Sequence, residues 1–461
     1  MDNSINILNG TLVLPEGCRR GSIGINGGKI EQIVERPCAL SPAKKNIDAT
    51  GRLIFPGVID SHVHIRGGIF SYREDFTSGT MAAVAAGITT LFEMPGCAKP
   101  ASTLENFLSR VDEVTRDACI DVALYGGAGA DNLDEIPRLA AAGAIGFKTF
   151  LMPPVVGREK EFYGLCSASS GDLEKVMACI AETGLTLTIH CEEGSIIADK
   201  TKQIRAKDGN RVRDFCASRP EEAEARAVAR AICAAKATGC RTIVAHVSSA
   251  ESMKMICQAQ EKGLDIHAET CVNYLTFDSD SMDEYGGFAR MKPPFRIRNC
   301  VDQLVQGYSE GKIELTGSDH APFTREEKCK SGNSIWQAPD GLPGLELTLL
   351  LLLRLVEQHK LTYEMIAQNT AENTAQLFGL DKIKGRIARG RDADLVIVKK
   401  LRTPEYINHQ NLRCKCRESA IIYDDLTVSH QVVSTIARGR IAYSNEQVLL
   451  QAGQGRFLSS K

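Results

Sequence analysis

Five of the nine histidines in the chain fall in four short segments that each read as the end of a β-strand. His62 and His64 stand two apart in the run Val58, Ile59, Asp60, Ser61, His62, Val63, His64. Alternate residues of a strand face the same way, so both imidazoles point to one side and can share one metal ion. Taken alone, this pair is equally a couple of solvated histidines at a strand end. The later segments add to it. His190 ends the run Leu187, Thr188, Ile189, and His246 ends Ile243, Val244, Ala245. Asp319 and His320 follow Thr316, Gly317, Ser318. One buried histidine is usually a core residue with a hydrogen-bond partner, but five converging on one face call for a metal. Neutral imidazole and carboxylate suit zinc, and manganese or iron less selectively. Lys148 lies between Phe147 and Thr149, with Phe150 beyond. An ammonium there is costly to bury, so it must snorkel outward, pair with an acid, or lose its proton as low polarity and nearby cations depress its pKa.

These residues need a scaffold that brings strand ends together. The middle of the chain supplies it by alternating strand and helix patterns. Strands are predicted to end near His64, Pro95, Gly126, Phe150, His190, His246, Glu269 and Asp319. Helical patterns rich in Ala, Leu, Glu and Lys lie between them, at 77–86, 133–142, 172–183, 220–238 and 249–262. Gly87, Gly143, Gly184, Gly239 and Gly263 follow these helices, as C-terminal stop residues do. Eight strands joined by helices predict a parallel α/β architecture, and eight is the number that closes a barrel. An open doubly wound sheet is the competing arrangement. It is disfavoured because no G-x-G-x-x-G follows a first strand and polar signals mark many strand ends, not one crossover.

Both ends of the chain read differently. Short β segments begin near Ile5, Thr11, Ser22 and Lys29, punctuated by Asn9-Gly10 and by Asn26, Gly27 and Gly28, which predict tight hairpin turns. The C-terminal part repeats this texture at 394–398, 420–423, 432–437 and 440–443. Two β-rich ends around a different middle predict one small sheet domain assembled from both termini.

Composition sets limits. With 43% hydrophobic and 24% charged residues, wholesale disorder is excluded. A formal net charge of −2 gives no electrostatic reason to expect nucleic acid or an anionic membrane as partner. The longest apolar run, 345–356, contains Glu346, Thr348 and Arg354, so it reads as a buried helix and not a membrane span. The N-terminus lacks a basic segment followed by an apolar core, so no secretory signal is expected. The 16 cysteines are then expected as thiols in a reducing, cytoplasmic compartment. Cys414 and Cys416 have no second pair at zinc-finger spacing.

The motifs together resemble the amidohydrolase superfamily, in the cyclic-amide branch that contains allantoinases, hydantoinases or dihydropyrimidinases, and dihydroorotases. The resemblance rests on 56–64, Gly146 to Lys148, His190 to Glu193, His246 to Ser248, Glu269 to Cys271, Pro293 to Arg296, Gly317 to Pro322, Asn373 to Ala375 and 385–396. It implies a (β/α)8 TIM barrel over 56–385, with a small β-sandwich built from 1–55 and 386–461. It also implies two divalent metal ions, zinc first, with Mn2+ or Fe2+ as alternatives. His62, His64 and Asp319 would hold the more buried ion, and His190 and His246 the more exposed one. Lys148, carbamylated by carbon dioxide, would bridge both together with a hydroxide. Asp319 would act as base toward the attacking hydroxide and then as acid toward the leaving ring nitrogen. The expected activity is hydrolysis of a cyclic ureide to a ring-opened ureido acid, by a homodimer or homotetramer.

The substrate is less sharply marked. Arg66 completes a pattern typical of dihydroorotases, where it grips a carboxylate, a sound role for a bidentate donor. The Glu-Pro-Gly that normally follows is here Gly67, Gly68, Ile69, and Gly96 stands where that group has Asn. Arg66 reads alternatively as a loop residue paired with Glu74 or Asp75. Lys148 with Thr149 and Phe150, Glu269 to Cys271, Lys328 and 341–346 are similar to allantoinases and hydantoinases. Asn273 replaces a residue typical of that branch, and a long loop at 152–170 containing Tyr163 is expected to shape the pocket. Substrate contacts are therefore expected from Arg66, Gly96, Asn273, Pro293 and His320. The other readings are a dihydroorotase and a non-catalytic scaffold of the same fold, the latter disfavoured because no ligand is missing.

Overall fold

The strands sort into two sheets by where their apolar residues can be buried. A computed structural model describes residues 3–154, 157–329 and 334–460, so Val155 and Val156 of the predicted pocket loop lie outside the described residues. Before the barrel come β1 (Asn3–Leu14), β2 (Gly17–Asn26), β3 (Lys29–Val34), β4 (Ala43–Asp48) and β5 (Arg52–Pro56). The barrel strands are β6 (Val58–Val63), β7 (Ile88–Glu93), β8 (Asp121–Gly127), β9 (Gly146–Phe150), β10 (Leu187–His190), β11 (Thr242–Val244), β12 (Ile266–Thr270) and β13 (Leu315–Thr316). After it come β14 (Leu395–Tyr406), β15 (Thr427–Ala437), β16 (Arg440–Ser444), β17 (Gln447–Val448) and β18 (Phe457–Leu458).

β6 to β13 pair in chain order, all parallel, with helices between them. Val63 bridges His320 and the His64 N–H reaches the His320 carbonyl at 2.8 Å, which joins the first strand to the end of the eighth. The predicted barrel is therefore present. Its two-residue period is visible in β8, where Val122 and Leu124 pack outward against helices while Ala123 and Tyr125 join the interior cluster with Phe92 and Phe378. The helices Ser170–Thr183 and Glu221–Thr238 stop at Gly184 (φ 71°) and Gly239 (φ 70°), left-handed positions that glycine adopts without a Cβ clash.

The other sheet runs β17-β16-β15-β14-β5-β1-β2-β3, with β4 beside β1. Its inner face closes over its own core, where Ile7, Leu12, Ile23, Ile54 and Leu395 cluster. β14 shows how it meets the barrel. Leu395 and Ile397 face that core, whereas Val396 and Val398 join the barrel's core. A strand buried on both faces reads as a continuous apolar run, as 395–398 does.

Two local expectations fail. Asn9-Gly10 is not a hairpin turn. It is a bulge inside the single strand β1, with Asn9 at φ 61° and the register slipping between Ile7 and Gly10. The bulge lets β1 pair with β4 in its first half and β5 in its second. The segment 420–423 is not a strand. Ile421–Tyr423 forms a single 3-10 turn that drives Ile422 and Tyr423 into the barrel core, with the Tyr423 ring 5.5 Å from Phe277. The chain also ends unexpectedly: β18 pairs with β8 of the barrel and not with the terminal sheet. Among the described residues, no helix is long and apolar enough to cross a membrane, and all 16 cysteines are free.

Candidate metal centre

The C-terminal ends of the barrel strands deliver the six predicted groups to one cavity of about 160 Å³. His62 is in β6 and Lys148 in β9; His190 ends β10. His64, His246 and Asp319 lie just past their strands. All six line the cavity, with Arg66, Arg158, Lys292, Asp340 and the rings of Phe150, Phe162 and Phe323. The backbone bends sharply here. Arg66 (φ 62°), His246 (φ 39°) and Asp319 (φ 47°) are left-handed without being glycine. Such strain persists where surrounding structure enforces it, and it collects at functional sites.

His62, His64 and Asp319 present one ligand atom each, all within 4.8 Å of one another. Asp319 Oδ1 is 3.5 Å from His62 Nε2 and 3.4 Å from His64 Nε2. On the other side of the cavity His190 Nδ1 is 3.0 Å from His246 Nε2. Neighbouring carboxylates set the tautomers. Glu269 Oε1 lies 2.6 Å from His62 Nδ1, and Glu192 Oε2 lies 2.9 Å from His190 Nε2. Burial pushes both carboxyls up, but the histidines and their other partners outweigh it and hold them below the ordinary value. An ionised carboxylate only accepts, so the facing ring nitrogen carries the proton. Both rings line the cavity, and His190, lowered by burial, is left with its Nδ1 free to act as a ligand atom. Burial, with Arg66 nearby, lowers His64 to about 3, and burial with neighbouring His190 and Lys148 takes His246 well below its usual value. Burial likewise lowers His190, so His64, His190 and His246 favour the neutral form that binds metal.

Lys148 is 2% exposed and its Nζ has no hydrogen-bond partner. Burial lowers its pKa to about 8, against the opposing pull of Glu269 and Asp319. A donor set of four imidazoles, one carboxylate and one amine without a hydrogen-bond partner fits a divalent-metal centre better than any hydrogen-bonded core.

The predicted substrate contacts separate. Arg66 lines the cavity, stacks 5.0 Å over Phe323, and keeps a buried Nε without a partner. It does not pair with Glu74 or Asp75, which engage Ser78 and Lys415. The other four do not line the cavity. The Asn273 side-chain oxygen accepts from the Tyr423 hydroxyl at 2.9 Å, and the Pro293 carbonyl accepts from the Tyr274 hydroxyl at 2.6 Å. His320 is fully buried, with Nδ1 accepting from the Gly344 N–H at 3.3 Å. Gly96 borders open space.

Sequence reasoning missed several groups. Asp60, two residues before His62, accepts from the Ser318 N–H at 2.9 Å and ties the first strand to the eighth; the spacing 60, 62, 64 was its available signal. Lys292, Asp340 and Arg158 reach the cavity from loops and carry no local pattern.

The family model for the amidohydrolase family matches residues 53–442. An L-hydantoinase from Paenarthrobacter aurescens is 32% identical, across 99% of this chain and 98% of its own length. An allantoinase from Salmonella newport is 32% identical, with 98% of each chain covered. The solved structure of an L-hydantoinase (dihydropyrimidinase) from Arthrobacter aurescens superposes with a TM-score of 0.94, covering 99% of this chain and 100% of that one at 32% identity. Fold, ligand geometry and full-length similarity agree: the chain belongs to the amidohydrolase family.

Proposed function

We propose that the chain hydrolyses the ring amide of a cyclic ureide, in the manner of a hydantoinase or allantoinase, and releases a ureido acid. The observation that carries this reading is the Lys148 amine, without a hydrogen-bond partner and buried among four histidines and Asp319. The organisation that goes with it is a barrel over 56–385 and a composite β domain from 1–55 and 386–461. The free cysteines suit the reducing cytoplasm.

His62, His64 and Asp319 would hold one divalent ion, and His190 with His246 the other, zinc being the best match to the donors. The Lys148 amine would add to carbon dioxide and lose a proton, and the resulting anionic carbamate would serve as a further oxygen ligand. The two ions, when bound, supply Lewis acidity to the scissile carbonyl and the attacking water. Asp319 takes the proton of that water on its carboxylate and delivers it to the leaving ring nitrogen. Burial pushes this carboxyl up, but His64 and His62 hold it below its ordinary value, ready as a base. Phe150, Phe162 and Phe323 wall the ring off from water, and Arg66 is aimed at a polar group of the substrate.

Arg66 also favours a second reading. A buried, unpartnered guanidinium nitrogen suits a carboxylate, which dihydroorotate carries and hydantoin lacks. Zinc-loaded protein offered allantoin, hydantoin, substituted hydantoins, dihydrouracil and dihydroorotate separates the two. Turnover of neutral ureides supports the first reading, and exclusive opening of dihydroorotate replaces it with the second. No turnover, with less than a tenth of a metal per chain after zinc and bicarbonate, leaves the scaffold reading. Light scattering tests the homodimer or homotetramer implied by resemblance.

A further inference from the structure

The two histidines of the second metal position are joined by buried charges that the mechanism does not use. Behind His190, Glu192 accepts two bonds from Arg219, Nε to Oε1 at 2.8 Å and a terminal nitrogen to Oε2 at 2.6 Å. The Arg219 carbonyl accepts from the Arg296 guanidinium at 2.5 Å. Arg296 then donates to Glu224 Oε2 at 3.0 Å and to Ser248 Oγ at 3.0 Å. Glu224 in turn receives the backbone N–H groups of Ser248 and Ser249 at 3.2 and 3.1 Å, and the Ser248 hydroxyl. Ser248 lies two residues past His246. The chain of contacts thus starts on the ring of His190 and ends on the loop that carries His246. Every side chain in it is 6% exposed or less.

Four charges have been taken from water to make this path. Buried ion pairs of this kind do little for net stability when compared with apolar packing. What they do well is fix geometry, and here they converge on two ligands and on neither His62 nor His64. His246 needs such help, because its backbone sits at φ 39°.

We propose that Glu192, Arg219, Arg296 and Glu224 act as one brace of positioning residues that presets His190 and His246 for the second ion. Glu192 dictates that His190 ligates through Nδ1. Glu224 and Arg296 hold the turn after β11 so that His246 Nε2 faces that Nδ1. The inference rests on the two-ion reading above.

The test is zinc titration of the full-length protein in zinc buffers, with zinc per chain measured by mass spectrometry. The wild type is expected to take two ions. Arg219→Ala and the near-isosteric Glu192→Gln are expected to bind the second ion about 10–100-fold more weakly and the first unchanged. Ser248→Ala, at the far end, is expected to shift it the same way, and Arg219→Lys to recover part of the loss. Cobalt(II) spectra give a second readout, as the band of the second equivalent moves to higher cobalt concentration. Equal weakening of both ions, or two ions of unchanged affinity in Glu192→Gln, overturns the brace alone. A wild type that never exceeds one ion overturns the two-ion reading, and the brace with it.

Discussion

Lys148 has no hydrogen-bond acceptor in a buried site, and burial lowers its pKa to about 8 against the pull of Glu269 and Asp319. A carbamate turns this liability into a pair of anionic oxygens. On the proposed two-ion reading, in which this group would bridge the ions, Lys148→Ala is expected to lose about 10³-fold or more in kcat. Short carboxylic acids such as acetate, which can place the same two oxygens in the space vacated, are expected to restore a measurable part. A variant that keeps a third of wild-type turnover contradicts the assignment. Asp319→Asn keeps a ligand oxygen but cannot hold a proton, so kcat is expected to fall by about 10²–10⁴-fold with zinc content retained. These residues were legible because same-face spacing and strand ends are local properties. Arg219, Arg296 and Arg158 were not legible. The partners of Arg219 and Arg296 lie tens of residues away and nothing nearby marks an arginine that will be buried, whereas Arg158 pairs locally with Glu161 and reads as an ordinary exposed loop residue.

The strands and most helices were also readable, since periodic apolar residues and C-terminal glycines are set within a few positions. What failed was whatever depended on a distant surface. Ala420 to Tyr423 looks like a strand, but it becomes a turn because the barrel offers Phe277 for Tyr423 to pack on and Asn273 for its hydroxyl to reach. This contact gives Asn273 a structural role to set beside the expected substrate contact. Tyr423→Phe and Asn273→Ala are both expected to lower unfolding free energy by about 1–3 kcal/mol, because each leaves a buried polar partner unpaired. Denaturant melts measure this; a raised KM in Asn273→Ala with unchanged stability would restore it as a substrate contact. Between the mouth loops, Asp340 joins Arg290 at 2.5 Å and Lys292 at 2.7 Å. Burial pushes its carboxyl up, but Lys292 and Arg290 hold it well below the ordinary value. A depressed carboxylate stabilises the fold above its unfolded pKa, about 3.9, and loses that contribution as pH falls toward the folded value. The stability gap between wild type and Asp340→Asn is accordingly expected to be full at pH 6–7 and to shrink below about pH 4. A gap that widens on acidification rejects the pairing.

At the scale of the molecule, the chain separates the end that does chemistry from the end that holds the barrel together. The ligands sit at the C-terminal ends of the strands, while the last residues return to the opposite end, where Phe457 and Leu458 pair with Val122 and Ala123 at the start of β8. Beneath them Lys384 is buried against Asp121 at 2.9 Å and Asp394 at 2.5 Å, and Arg456 reaches Asp121 at 3.0 Å and Asp392 at 2.7 Å. This cluster ties β8, the segment leading into β14, and the tail into one unit. The two sheets thus share contacts despite a separate core in the terminal sheet: Val396 and Val398 of β14 pack into the barrel's core, and Leu458 of the tail joins the barrel's interior cluster. Removing residues 449–461 is expected to cost about 2–3 kcal/mol from losing the burial of Leu458 alone, with more from Asp121 and Asp392 losing Arg456 as a partner. The candidate metal ligands lie at the far ends of the strands, so kcat/KM of the folded truncated protein at 25 °C is expected to stay within about threefold of wild type. Thermal melts and steady-state kinetics on the same preparation check both halves. If activity falls in proportion to stability, the floor and the mouth are coupled, and the division of labour between the two barrel ends does not hold.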